Sequence, residues 1–176
     1  MSKYVLLLRG VNVGKGNRLP MAGLRTLLEA QGFKDVTTIL NSGNAIFSAE
    51  PGSAGDFADL IRKDISKTFG MDIHTHVESA AGLGKIISEN DILSLADDHS
   101  RLLVIFGREQ KNLHALTELE HLLGPEEHLS IGQNAGYLYC PKGVSDSRFA
   151  IAMLGKHGKS LTSRNWKTII RIAASL

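Results

Sequence analysis

The stretch Val36-Thr37-Thr38-Ile39-Leu40-Asn41-Ser42-Gly43-Asn44-Ala45-Ile46-Phe47-Ser48 decides the fold. Two β-prone runs, residues 36–40 and 45–48, flank Asn41-Ser42-Gly43-Asn44, whose residue types tolerate the left-handed backbone of a tight hairpin. Upstream, Met21, Leu24, Leu27 and Leu28 recur at helical spacing behind Pro20, which suits a first helical turn, and Gly32 stops the helix. Residues 3–9 before it form a Val- and Leu-rich run, read as a buried strand. Downstream, residues 56–69 set Phe57, Leu60, Ile61, Ile65 and Phe69 on one helix side, Gly70 ends it, and residues 72–77 read as a strand. The order βαββαβ is the ferredoxin-like split unit, with two helices on one face of an antiparallel sheet.

The second half echoes that order. Residues 102–106 read as a strand and 112–123 as a helix stopped by Gly124-Pro125. Residues 129–131 and 137–140 form a hairpin around Gln133-Asn134-Ala135-Gly136, and a helix starts at Phe149. The loop 155–158 then leads straight into a final helix over 164–174, so this half reads βαββα, without a closing strand. The expected class is α+β, with two ferredoxin-like halves, antiparallel sheets and a C-terminal helix. Residues 1–78 are the first half, 79–100 a connecting helix and loop, and 101–176 the second half.

The chain has 176 residues, 43% of them hydrophobic. A domain of that size buries about two-thirds of its unfolded surface and needs no disulfide or metal staple. Its 20 basic and 18 acidic residues leave a net charge of +2, which argues against a wholesale polycation or an acidic solvating protein. The distribution is uneven. Residues 1–28 hold five basic residues and no acid, and residues 147–176 hold six and no acid, so every acid lies between them. The apolar run Tyr4-Val5-Leu6-Leu7-Leu8 is far short of the about 20 residues that span a membrane, and too short for a secretory leader core. A cytoplasmic protein with no membrane partner is expected. The single cysteine, Cys140, excludes an internal disulfide, and its alternating apolar setting reads as a buried thiol. No Cys-x-x-Cys or His-Glu-x-x-His occurs. His74 and His76 lack a third ligand and read as a solvated strand face, so no metal and no cofactor is expected.

Four segments could carry function. The first is Arg9-Gly10-Val11-Asn12-Val13-Gly14-Lys15-Gly16-Asn17-Arg18, in which glycines let backbone N–H groups approach a ligand and Arg9, Lys15 and Arg18 supply positive charge. It is neither a Walker loop, which needs Gly where Arg9 stands, nor a dinucleotide loop, which needs Gly where Leu19 stands. The second is Thr162-Ser163-Arg164-Asn165-Trp166, read as a helix start capped by Thr162 or Ser163, where Arg164 sits at the end of a helix dipole that favours anions. Trp166 itself reads as core. The third is the hairpin turn, whose Asn41 and Asn44 could orient a ligand as well as make the turn. The fourth is Tyr137 and Tyr139, which alternate on one strand and could stack bases, although the RNA-recognition signature is absent. No catalytic set emerges. His157, in a basic loop, is the best proton carrier should there be a reaction.

The segments Tyr4 through Gly14, Leu19-Pro20-Met21, Leu40-Asn41-Ser42-Gly43-Asn44, Tyr137-Leu138-Tyr139-Cys140-Pro141 and Ser163-Arg164-Asn165-Trp166-Lys167-Thr168 resemble domain-of-unknown-function family 1697, a family of bacterial proteins. The resemblance implies two ferredoxin-like α+β halves and no particular activity. The segment Val144-Ser145-Asp146-Ser147-Arg148 departs from the family's pattern, which often has a lysine or small residue after the Pro-x-Gly turn. Taken together, the residues point to binding of an anionic ligand, a phosphorylated small molecule or a nucleic acid. The expected contacts are Arg9, Asn12, Lys15, Arg18, Asn41, Asn44, Arg164 and Asn165, at one site that requires both chain ends to meet. The alternative is a structural or protein-interaction module whose basic ends pair with acids. An enzyme using the same pocket is a third reading.

Overall fold

The computed structural model describes residues 1–14 and 16–176, so Lys15 lies outside the described residues. The chain forms two compact units, Met1–Leu83 together with Ile172–Leu176, and Gly84–Arg171.

In the first unit the elements are β1 (Ser2–Leu8), α1 (Met21–Ala30), β2 (Lys34–Ile39), β3 (Asn44–Ala49), α2 (Ala54–Phe69) and β4 (Thr75–Ser79). The sheet order is β2-β3-β1-β4, with every neighbouring pair antiparallel. Alternation is missing from β1 because Tyr4, Val5, Leu6, Leu7 and Leu8 are all buried. One side of the sheet carries Tyr4, Leu6, Leu8 and Phe47 into a core with Leu24, Leu27 and Leu28 of α1 and Ile61 and Ile65 of α2. Tyr4, Phe33, Phe47 and Phe57 meet there as a connected ring cluster, with centroids 4.4–6.1 Å apart. Ser53 caps α2 by accepting from the Asp56 N–H, and Gly70 follows its last turn in a left-handed conformation. The Lys3 Nζ donates to the carbonyl of Leu176, tying the chain's last residue into this unit.

The hairpin forms where its residues predict, and its geometry is tighter than the sequence suggests. Leu40 adopts a left-handed conformation (φ 58°), and Gly43 does so at φ 77°. A Cβ on Gly43 would lie 2.8 Å from the Leu8 Cβ, so glycine is required there for space as well as for φ. The Leu8 N–H donates to the Gly43 carbonyl (2.8 Å), which places the hairpin beside the end of β1.

The second unit holds β5 (Leu102–Gly107), α4 (Gln110–His114), β6 (His128–Ile131), β7 (Gly136–Tyr139), α5 (Arg148–Leu154) and β8 (Leu161–Asn165). Its sheet order, β6-β7-β5-β8, reproduces that of the first unit, again with all pairs antiparallel. The helices α3 (Ala80–Ser88) and α6 (Trp166–Ala173) complete the chain. Alternating strands and helices over two four-stranded antiparallel sheets define an α+β architecture consistent with two ferredoxin-like halves.

Two element expectations need correction. A closing strand does follow α5: β8 pairs with β5 from Leu161↔Gly107 to Asn165↔Leu103, so the second half is βαββαβ rather than βαββα. Its sequence, Leu-Thr-Ser-Arg-Asn, has one large apolar residue and no period of two. An edge strand needs neither, because one neighbour supplies its hydrogen bonds. The final helix accordingly starts at Trp166, not Arg164. The helix expected over 112–123 is α-helical only to His114 and continues as a 3₁₀ helix over Ala115–Leu122. Leu113, Leu116, Leu119 and Leu122 recur every three residues, the 3₁₀ period, and all pack against the second unit's core.

Candidate functional site

The loop from β1 to α1 leaves the sheet at Arg9, whose backbone N–H donates to the His74 carbonyl (3.0 Å). The Arg9 guanidinium is partly buried, and desolvation pulls its pKa below the ordinary arginine value. Asn12 has a left-handed backbone (φ 55°) and uses both ends of its amide inside the fold. Its Nδ2 donates to the carbonyls of Leu19 and Asn41 (2.8 Å each), and its Oδ1 accepts from the Leu19 N–H (3.0 Å). The loop is thereby fastened at once to the start of α1 and to the β2–β3 turn. Arg18 is exposed, and its Nη2 donates to the Gly14 carbonyl (2.6 Å).

Asn41 lies on the exposed turn and gives its carbonyl to Asn12. Asn44 is fully buried, and its Nδ2 bridges the Ile39 carbonyl (2.9 Å) and the Ser42 Oγ (3.1 Å), closing the hairpin from inside. The structure thus gathers Arg9, Asn12, Arg18, Asn41 and Asn44 at one end of the first sheet. Of these, Asn12 and Asn44 serve as internal fasteners.

In the second unit, Arg164 belongs to β8, opposite Val104. Its Nη1 donates to the Thr162 Oγ1 (3.2 Å) and the Ser163 carbonyl (2.7 Å), and burial lowers its pKa to about 10, so it stays charged at neutral pH. Asn165, not Thr162 or Ser163, caps α6, its Oδ1 accepting from the Thr168 N–H (2.9 Å).

Tyr137 and Tyr139 are buried, so neither ring face is open for base stacking. Their hydroxyls serve the fold. Tyr137 donates to the Ile86 carbonyl (2.6 Å) and to Glu89 (3.0 Å), and Tyr139 donates to Asp97. Sequence reading missed Glu89, whose carboxylate also accepts from the Asn134 N–H, the Asn134 Nδ2 and the Ala135 N–H. Nothing in its local sequence sets it apart from other helix-end glutamates. Cys140 is buried, and desolvation pushes its thiol up to about 11. His157 is exposed. His76, expected on a solvated face, is buried instead, with Nε2 3.7 Å from Glu78. Among the described residues no cluster of three or more His, Cys, Asp or Glu could hold a metal ion, and no helix is long and apolar enough to cross a membrane.

An α+β chain of two antiparallel four-stranded units, with a basic, glycine-rich loop after its first strand, is the class these features define. The chain belongs to the family described as "Protein of unknown function (DUF1697)", whose model matches residues 1–137. The matched part includes the Arg9–Gly14 and Asn41–Asn44 motifs, and Arg164-Asn165-Trp166 lies beyond it. Among solved structures the chain is similar to the conserved bacterial protein SP0830 from Streptococcus pneumoniae, at 22% identity and a TM-score of 0.80, covering 98% of this chain and 97% of that one. At that identity the likeness concerns the fold. No curated protein matches the sequence.

Proposed function

We propose that the β1–α1 loop binds an anionic ligand, a phosphorylated small molecule or a nucleic acid, with Arg9 and Arg18 as counter-charges. The observation that carries this reading is local charge: residues 1–28 contain no acid, and Arg9 emerges partly desolvated from the end of β1 in a loop that Asn12 fastens to the start of α1 and to the β2–β3 turn. A held, partly desolvated cation binds an anion with less reorganisation than a freely hydrated one. A second reading has support in the bond from Arg18 to the Gly14 carbonyl, which would make the cations structural.

Thermal-shift titration with nucleotides, sugar phosphates and short oligonucleotides separates the two. A ligand at 100 times its Kd adds about 2.7 kcal/mol of stability. On the binding reading that gain disappears in Arg9→Gln and Arg18→Gln while the ligand-free melting temperature holds. On the structural reading both variants melt early and no ligand stabilises the parent chain.

A further inference from the structure

Between α5 and β8 the chain reads Gly155-Lys156-His157-Gly158-Lys159, with two glycines bracketing two basic residues. Lys156–Gly158 form a single 3₁₀ turn set directly on the last turn of α5, where the Gly155 N–H donates to the carbonyls of Ile151 (3.0 Å) and Ala152 (3.2 Å). A Cβ on Gly155 would lie 3.1 Å from the Ile151 carbonyl oxygen, so glycine eases this abrupt join. Beyond the loop, Leu161 pairs with Gly107 of β5. Secondary structure thus holds the loop on both sides, while Lys156, His157 and Lys159 stay exposed.

Helix α5 continues the same surface. Phe149, Ala150 and Met153 turn into the core, and Arg148, Ile151 and Leu154 are exposed at a spacing of three, which makes them neighbours on one side of the helix. Ile151 is 57% and Leu154 48% exposed, so two large apolar side chains stand uncovered beside four basic ones. Arg148, Lys156, His157 and Lys159 make no ion pair among the described residues, and residues 147–176 contain no acid. The acids on segments packed against α5 are Asp146 and, on the 3₁₀ helix over Ala115–Leu122, Glu118 and Glu120; all three are exposed and bond none of the four.

We infer that this surface holds single-stranded nucleic acid. The Gly155-Lys156-His157-Gly158 loop and Lys159 take the phosphates, and Ile151 and Leu154 take the face of a base. A Gly-x-x-Gly loop lets a sugar–phosphate chain approach the main chain closely, the device by which one class of RNA-binding domain clamps about four nucleotides. Arg148, Lys156 and Lys159 supply counter-charge, and the His157 ring stacks on a base or donates to a phosphate. A base covers the aliphatic pair with an apolar face and keeps its polar edges in water, which a free phosphate does not. The inference does not rest on the anion-binding reading of the β1–α1 loop, which belongs to the other unit.

The test is an NMR titration of the full ¹⁵N-labelled chain with a decamer of oligouridine. Saturable shifts are expected at the amides of Ile151, Leu154, Lys156, His157 and Lys159, and they should persist in Arg9→Gln with Arg18→Gln. An abasic decamer of equal charge should bind this surface about threefold or more weakly, because it offers no base to the apolar pair. Lys156→Asp with His157→Asp should lose about tenfold or more in affinity read at Ile151 and Leu154, because phosphate contacts dominate such binding. Both substituted side chains are exposed, retained β5 and β8 amide dispersion verifies folding, and the abasic comparison on the parent chain needs no variant. Equal affinity for the two strands would overturn the inference and leave a patch for any polyanion. A folded Lys156→Asp with His157→Asp protein of parental affinity, or oligouridine shifts confined to other residues, would overturn it too. So would an inert oligouridine beside shifts at these amides on vesicles of phosphatidylcholine and phosphatidylserine, which would make the surface a lipid contact.

Discussion

Asn12 is the residue on which the candidate site's shape depends. It holds an unfavourable left-handed backbone and makes four side-chain hydrogen bonds, two with Leu19 and two with Asn41, that join loop, helix and hairpin. Asn12→Ala should destabilise the chain by about 2–4 kcal/mol in urea denaturation, from lost hydrogen bonds plus alanine's dislike of positive φ. Asn12→Gly relieves the backbone alone and should recover only about 1 kcal/mol of that. Equal stability of all three proteins would show that the clamp contributes nothing. Glu89 gives a pH prediction. Burial raises its pKa, but the hydrogen bonds from Asn134, Tyr137 and Ala135 outweigh that and hold the carboxyl below its ordinary 4.5. A depressed carboxyl adds stability that is fully present above its unfolded pKa and is lost as pH falls through the folded one. Stability should therefore drop below about pH 4.5, and Glu89→Gln should flatten that part of the curve measured by denaturation between pH 3 and 7. A parent and variant that lose stability in parallel would refute the role.

Elements were legible wherever a side chain's chemistry forces a backbone geometry. The β2–β3 hairpin is the clearest case: Asn41-Ser42-Gly43-Asn44 reads as a turn because Gly43 must take positive φ, and the fold adds a steric demand from Leu8. Gly43→Ala should therefore cost about 2–3 kcal/mol in equilibrium unfolding, more than strain alone, and a loss below about 0.5 kcal/mol would refute the close approach. Elements were illegible where long-range pairing decides. Strand β8 owes its existence to β5, and its Thr-Ser-Arg-Asn carries no periodicity of its own. Reading Arg164 and Asn165 as a helix start capped by Thr162 or Ser163 was the direct result; the cap is Asn165, and the residues before it belong to the strand. The same reasoning covers the site. Arg9 and Arg18 were singled out by charge; the turn-making role of Asn44 was legible because its partners Ile39 and Ser42 are local, whereas the fastening role of Asn12 depends on a partner 29 residues away and could not be read locally.

At the scale of the whole molecule, a net charge of +2 and a sequence pI of about 8.7 hide opposed regions, so global charge is a poor guide to what the chain binds. A surface-wide polycation and a local loop differ in salt dependence. Each phosphate neutralised on a single strand contributes about −0.7 to the slope of log K against log salt. The loop 9–18 contains three cations, Arg9, Lys15 and Arg18. Any affinity of that loop for a short single-stranded oligonucleotide should therefore show a slope no steeper than about −2. Fluorescence anisotropy over a salt series measures it directly. A slope beyond about −5 would require cations well outside the loop and would sink the local model. A slope near −2 that falls towards zero in Arg9→Gln with Arg18→Gln would place the ion release at the loop, because a molecule this close to neutrality has little non-specific attraction with which to replace it.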